Sequence, residues 1–165
     1  MGDDVFGVGE IRIFAGDYDP MTWLPCNGQL LPISSYELLF NAIGARFGGD
    51  GVNTFALPNL ADPGPGLKYI LCYTGQFIST GSNFTGTLAE VRLFAGLFLP
   101  GNWLPCNGQL LSISVNEYSE ALFSLIGTKF GGDGQRTFGL PKVANPIPNV
   151  QYLTCVEGAY PSSTT

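Results

Sequence analysis

Histidine is absent from the sequence, and only 12% of the 165 residues are charged. Without histidine the chain cannot form a Ser-His-Asp or Cys-His catalytic group, or a zinc site with an imidazole ligand. Charged residues make up about a quarter of an average soluble domain, whereas hydrophobic residues here reach 45%. Large apolar surface patches are typical of contact sites. We therefore expect a protein that is not an enzyme, needs no cofactor or metal, and buries much of its surface in an assembly.

Basic clusters and long apolar runs are also missing. The seven Lys and Arg residues are scattered, and the net charge is −6 with a pI near 4.3. This balance argues against binding to nucleic acid or to an anionic membrane. No apolar run approaches the length of about 18 residues that a membrane span requires. The start of the chain, MGDDVFGVG, has neither the basic region nor the apolar core of a secretion signal. We expect no nucleic-acid partner, no membrane insertion and no visible secretion signal.

What the sequence does contain is an internal repeat, since WLPCNGQLL occurs twice, 80 positions apart. Residues 9–34 align with 89–114 without a gap, and 17 of these 26 positions are identical. After three inserted residues the similarity continues at an offset of 83, through a second GGDG segment. The sequence therefore predicts a tandem duplication, with a first module at 1–79, a polar linker at 80–87 and a second module at 88–165.

Each copy carries local signals for strands, turns and one short helix. EIRIFAG alternates apolar and charged residues as a half-buried strand does, and the Asn-Gly of CNGQLL favours a turn. Ser34 with Glu37, and Ser114 with Glu117, have the spacing of a helix capping box. GGDG favours a turn with left-handed backbone, and LKYILCYTG and VQYLTCVEG are typical of closing strands. We expect a mainly β fold with short helices (β-rich α+β), made of two homologous modules packed as a pseudo-symmetric pair.

The ordered motif set resembles that of a known family. GEIRIFAGxxxPxxWLPCNGQLLPIS, the helix LLFNAIG, FGGDGxxTFALPNL and the closing LKYILCYTGQF are similar to the phage tail collar domain, which is also found in microcystin-dependent-type proteins. The resemblance covers nearly all of both copies. It implies a structural or attachment role, as in phage tail fibres and related bacterial extracellular proteins, rather than catalysis. The segment before each closing strand, commonly a long insertion in that family, is short here, which favours a minimal building block of an appendage.

The four cysteines occupy equivalent positions in the two copies. Cys26 and Cys106 lie in the turn motif, and Cys72 and Cys155 lie in the closing strands. No CxxC is present, which argues against a thiol oxidoreductase or a zinc ribbon. The simplest symmetric pairing is one disulfide per module, Cys26–Cys72 and Cys106–Cys155, each contributing about 3 to 4 kcal/mol. Bonds between subunits and four buried free thiols are the alternatives.

Asp50 and Asp133 are each placed inside a GGDG segment. The side chain of such an Asp commonly accepts hydrogen bonds from its own turn, and a weak cation site is the alternative. Trp23 and Trp103 each precede the LPC of the repeat. We interpret them as core or interface anchors, with an aromatic platform for a sugar ring as the alternative.

Two Glu-Arg pairs, Glu10 with Arg12 and Glu90 with Arg92, are spaced to share one face of a strand. They are candidates for ion pairs that reach a neighbouring subunit. Solvated alternation along the strand is the alternative, since exposed ion pairs contribute little.

These observations favour a non-enzymatic structural subunit that self-assembles into an extracellular filament or a phage-tail-like appendage. Its main partner would be another copy of itself, joined head to tail, and a host cell surface or a glycan is a further candidate partner. The alternative function is a receptor- or carbohydrate-binding module of a phage tail fibre.

Overall fold

The structure is a computed structural model that describes residues 6–162. The first module contains β1 (Glu10–Phe14), β2 (Trp23–Pro25), β3 (Leu30–Pro32), α1 (Glu37–Ile43), β4 (Thr54–Ala56) and β5 (Lys68–Cys72). The second contains β6 (Val91–Phe94), β7 (Trp103–Pro105), β8 (Leu110–Ser112), α2 (Glu117–Ile126), β9 (Thr137–Gly139) and β10 (Gln151–Cys155). The fold is mainly β with two short helices, as the sequence predicts.

Both modules contribute to one open six-stranded sheet, with the strand order β2-β5-β1-β6-β10-β7. Each half is an antiparallel three-stranded unit, and the halves meet where β1 pairs with β6. The two remaining pairs, β3 with β4 and β8 with β9, form separate two-stranded ribbons. The strand order reads the same from both ends, which is the order expected of a pseudo-twofold pair.

The helices differ between the modules because of the three-residue insertion. α1 has 7 residues and follows a 3₁₀ turn at Ile33–Ser35, whereas α2 has 10 residues. The predicted capping boxes are wrong in both copies. The helices begin at Glu37 and Glu117, which the boxes place at the third helical position after the capping serine. Tyr36 precedes α1 without a side-chain cap, while Asn116 caps α2 in a reciprocal box with Ser119. The insertion therefore adds nearly one helical turn to the start of α2.

The two faces of the sheet carry different cores. On one face, α1 packs Leu39, Ala42 and Ile43 in a cluster with the sheet residues Ile11 and Leu93, so this core spans both modules. On the other face, each module has its own aromatic cluster, around Trp23 in the first and Trp103 in the second. The linker contributes to the second cluster, because Phe84 is only 4% exposed. The predicted polar linker therefore contains a core residue.

Candidate functional site

The joint between the modules is made on one side only. β1 and β6 pair through Glu10 with Phe94 and Ile11 with Leu93. The same register, continued, would place Arg12 opposite Arg92 and the pseudo-twofold axis between them. Within residues 6–162, however, no β1–β6 pairing continues past Ile11, although β1 runs on to Phe14. One half of a symmetric joint is therefore formed and its equivalent half is open.

On the closed side, a loop of the second module packs on the first module. We call residues 95–101 the front loop of the second module, and residues 15–21, 80 positions earlier, the front loop of the first. We define the back surface of the first module as Gly9, Ala42, Arg46 and Phe77. By the repeat offsets, the back surface of the second module consists of Ala89, Leu125, Lys129 and Tyr160. The closed side brings the second front loop onto the first back surface.

Four contacts make this closed side. The N–H of Ala95 donates to the carbonyl of Gly9 over 2.9 Å, and the N–H of Leu97 donates to the carbonyl of Ala42 over 2.7 Å. The Arg46 guanidinium donates to the carbonyl of Ala95. Phe98 and Phe77 have ring centroids 6.4 Å apart. These contacts join a loop to a helix end and an aromatic ring, and two of the four are hydrogen bonds between backbone groups, which any sequence carries.

On the open side the equivalent residues are exposed. Ala95 is fully buried while its counterpart Ala15 is exposed, and the counterparts Phe94 and Phe14 are buried and half-buried. Tyr18 is 88% exposed and Met21 is 90% exposed. The back surfaces differ in the same sense, because three residues of the first are more buried than their counterparts in the second. These pairs are Ala42 and Leu125, Arg46 and Lys129, and Phe77 and Tyr160. The chain therefore carries one unoccupied front loop and one unoccupied back surface.

Between the diverging parts of β1 and β6 lies a cleft of about 550 Å³. Its walls include Ile13 and Val91, which are half-exposed strand residues, and the rings of Tyr69 and Tyr152. Burial is the main cause that raises the pKa of Tyr69, and the nearby Tyr152 adds to it. The cleft is the space that the unmade half of the joint leaves.

A buried carboxylate connects the modules beside this cleft. Glu10 is 1% exposed, and its Oε2 lies 2.6 Å from Arg12 Nε and 3.7 Å from Arg92 Nη1. Its Oε1 accepts the N–H of Gly7 over 3.1 Å. Glu90, which is 31% exposed, pairs with Arg92 Nε over 2.5 Å. Both pairs, which the sequence offered as contacts to a neighbouring subunit, close within the chain. Glu10 is too buried to contact another copy, whereas Arg12 is 42% exposed, so a contact through Arg12 stays a prediction.

The profile of the phage tail collar domain matches residues 9–63 and 89–148, which together exceed half of the chain. The chain belongs to the phage tail collar domain family. The two matched segments correspond to two tandem copies of the domain. No curated protein and no solved structure matches the chain. The family indicates a structural role in a phage tail fibre and a virion-associated protein, and it is not a family of enzymes.

Both tryptophans lie in the aromatic cores of the collar modules. Trp23 is 6% exposed and Trp103 is 2% exposed, and Trp103 Nε1 donates to the carbonyl of Phe84 over 3.0 Å. A sugar ring needs an exposed aromatic face, so neither side chain can provide the platform considered from the sequence. The guanidinium of Arg12 lies 5.7 Å from the Trp23 ring and that of Arg92 lies 5.1 Å from the Trp103 ring. The tryptophans thus hold the arginines of the module joint in place.

Each GGDG segment forms a turn centred on its aspartate. Asp50 Oδ1 accepts the backbone N–H groups of Val52, Asn53 and Thr54 over 2.8 to 2.9 Å. Asp133 does the same in the second collar module. These hydrogen bonds, the one from Thr54 being the strongest for Asp50, lower the pKa of each carboxyl to about 2. Because the surrounding groups are donors, the site disfavours a cation.

All four cysteines are free and buried, which corrects the predicted disulfides. In the antiparallel register Cys72 pairs with Trp23, and Cys26 donates its N–H to Tyr69. The two cysteines are thus three residues apart along the ladder, about 10 Å, and point to opposite faces. A disulfide requires Cα atoms within about 7 Å.

The second collar module repeats this arrangement, since Cys155 pairs with Trp103 and Cys106 donates to Tyr152. Burial raises the pKa of Cys26 to about 12 and those of Cys72, Cys106 and Cys155 to about 11. Thiols this buried are also out of reach of a second subunit.

The collar modules also differ in an apolar groove that sequence reasoning missed. In the second module a groove of about 350 Å³ runs beside α2, lined by Ser119, Val156 and neighbouring leucines. The equivalent positions of the first module are Tyr36 and Tyr73, whose rings pack edge to face with centroids 5.3 Å apart. Two tyrosines therefore fill in the first module the space that is open in the second. The repeat alignment contains this signal as two Tyr-to-small substitutions.

Neither a membrane span nor a metal cluster is found in the described part of the chain. None of the helices within residues 6–162 has the length and apolar character needed to cross a bilayer. The same residues contain no group of three or more His, Cys, Asp or Glu side chains placed to hold a metal ion.

Proposed function

We propose that the chain is a non-enzymatic structural subunit that self-assembles into an extracellular filament or a phage-tail-like appendage. Its partner in this assembly is another copy of the same chain, joined head to tail.

The one-sided joint is the observation that carries this proposal. A twofold pair with both halves of its joint made would be closed, and nothing complementary would remain. Here one front loop contacts a back surface and buries Ala95, while Leu97 and Phe98 stay 44% and 39% exposed. The other front loop, with Tyr18 88% exposed, and the other back surface make no equivalent contact within residues 6–162. Complementary patches at different places on one subunit generate a heterologous contact, which builds an open filament if the rotation does not close.

The composition of the surface supports the same conclusion. Exposed apolar side chains include Tyr18 and Met21 on the first front loop and Tyr160 on the second back surface. Only 12% of the residues are charged, so few charges keep separate copies apart. Burial of these side chains between subunits would remove them from water. Since the four thiols are buried and free, the assembly would be held by non-covalent contacts.

Electron microscopy of the native, non-reduced protein at rising concentration tests the proposal. We expect regular rods with an axial repeat, which become more numerous and longer with concentration. Uniform small particles at every concentration would contradict it and would favour a receptor-binding module of a tail fibre instead. Analytical ultracentrifugation on the same samples separates a discrete oligomer, with one sedimentation boundary, from an open polymer with a growing distribution.

A further inference from the structure

We propose that the front loop of the first module in one copy binds the back surface of the second module in the next copy, and so repeats the internal joint between subunits. The inference rests on the proposed function, and it assigns the interface by residue. The internal joint of the same chain is its template.

The template uses groups that recur at the open ends. In the internal joint, the front-loop residues Ala95, Leu97 and Phe98 contact Gly9, Ala42 and Phe77 in that order. The repeat offsets convert these into three contacts between copies. Ala15 N–H would donate to the carbonyl of Ala89, Asp17 N–H would donate to the carbonyl of Leu125, and the ring of Tyr18 would pack on that of Tyr160.

The side chains at the open ends keep the chemistry of the template. At the open ends Tyr18 stands in place of Phe98 and Tyr160 in place of Phe77, so the contact between copies again joins two aromatic rings. The Arg46 guanidinium, which donates to the carbonyl of Ala95, becomes the ammonium of Lys129, which can donate to the carbonyl of Ala15. Aromatic pairs of this kind favour contact beyond the area that they bury. The open ends therefore retain the aromatic rings and the cationic donor of the internal joint.

The open ends also have complementary charge. Asp17 is exposed on the first front loop, and Lys129 is exposed at the end of α2 on the second back surface. At the internal joint the residue equivalent to Asp17 is Leu97, which is 44% exposed. Opposite charges on the two surfaces attract and orient two copies before they dock. This complementarity favours another copy of the chain over an unrelated protein.

Cross-linking between variants that each carry one added cysteine tests the register directly. Tyr18→Cys and Tyr160→Cys are prepared separately, mixed in equal amounts and oxidised briefly. Since the native thiols are buried, we expect a disulfide-linked dimer in the mixture and its loss in either variant alone. Tyr118→Cys lies on α2 about two turns, or about 10 Å, before Leu125. It serves as the matched distance control, because a mixture with Tyr18→Cys should give no dimer when the Cα atoms are more than about 7 Å apart.

The double variant Tyr18→Cys/Tyr160→Cys separates contact between copies from closure within one chain. We expect a ladder of cross-linked oligomers on a non-reducing gel. An internally cross-linked monomer as the sole product would overturn the inference, since the open half would then close within the chain. Equal cross-linking of the Tyr118→Cys control would overturn it as well.

Charge reversal gives an independent readout. Asp17→Lys or Lys129→Asp alone should raise the critical concentration for assembly about two- to fivefold, and the two together should restore it. Failure to restore it would contradict the pairing of these residues. Filaments without the cross-link would overturn this inference and leave the proposed function intact. The absence of both filaments and cross-links would overturn both.

Discussion

Replacement of Glu10 by Gln tests how much the buried carboxylate between the modules contributes to the free energy of unfolding. The amide can still accept the N–H of Gly7, which now lies 3.1 Å from Oε1. The substitution removes the negative charge of the carboxylate, whose Oε2 lies 2.6 Å from Arg12 Nε and 3.7 Å from Arg92 Nη1. Arg12 is 42% exposed and can regain water, whereas Arg92 Nη1 is buried without a hydrogen-bond acceptor.

The size of the effect follows from these two environments. Removal of one partner from a fully buried ion pair costs about 3 to 5 kcal/mol. Because Arg12 can be rehydrated, we expect Glu10→Gln to lower the free energy of unfolding by about 2 to 3 kcal/mol. Urea unfolding followed by tryptophan fluorescence measures this, since both tryptophans lie in the adjacent cores.

The duplication supplies a matched control in Glu90→Gln. Glu90 makes equivalent contacts, with Thr87 N–H at 3.1 Å and Arg92 Nε at 2.5 Å, but it is 31% exposed. We therefore expect a loss of only about 1 kcal/mol or less. An equal or larger loss for Glu90→Gln than for Glu10→Gln would refute the argument that burial at the joint determines the cost.

Three further predictions concern the cores and the turns. Burial raises the pKa of the four thiols to about 11 or 12. A thiol reagent at pH 8 should therefore label almost none of them in the native protein and all four after denaturation. Rapid labelling of the native protein would contradict their burial. The folded pKa of Asp50 and Asp133 is about 2, below the ordinary value, so their stabilisation is present above about pH 4 and is lost as pH falls through about 2. Melting temperatures should drop over that window, and Asp50→Ala/Asp133→Ala should flatten the drop; an unchanged pH profile in that variant would be the contrary result. Trp103→Ala should cost about 3 to 5 kcal/mol in urea unfolding, and a loss below 1 kcal/mol would show that the aromatic core tolerates the cavity.

The sequence predicted the parts of the fold whose determinants are local. The GGDG and Asn-Gly turns are fixed by positive φ at glycines such as Gly49 and by the aspartate that accepts the turn's N–H groups. The strand at Glu10–Phe14 follows from its alternation. The capping boxes failed because Ser34 and Ser114 have the right spacing but lie before the helices, in a 3₁₀ helix and a turn, respectively.

The joint could not be predicted because its determinants are distant in sequence. Symmetry indicated which cysteines are equivalent, but the spacing between Cys26 and Cys72 contains no information on the strand register that places them on opposite faces. Likewise the Glu-Arg spacing placed each pair on one face of a strand, whereas the contact of Glu10 with Arg92 depends on β1 lying beside β6. A repeat predicts equivalent residues, and it does not predict that only one of two equivalent contacts forms.

The two front loops have diverged in a direction that follows from when each is covered. The second reads AGLFLPG and is anchored through Ala95 as soon as the chain folds, with Leu97 and Phe98 still 44% and 39% exposed, whereas the first reads AGDYDPM and faces water. A loop that docks during folding keeps its apolar side chains partly covered, which lowers their cost to solubility. In the assembly that we propose, the acidic residues of the exposed loop would keep subunits dispersed until they dock. The internal joint thus forms once in every chain, whereas in the proposed assembly the exposed loop would stay solvated until another copy binds.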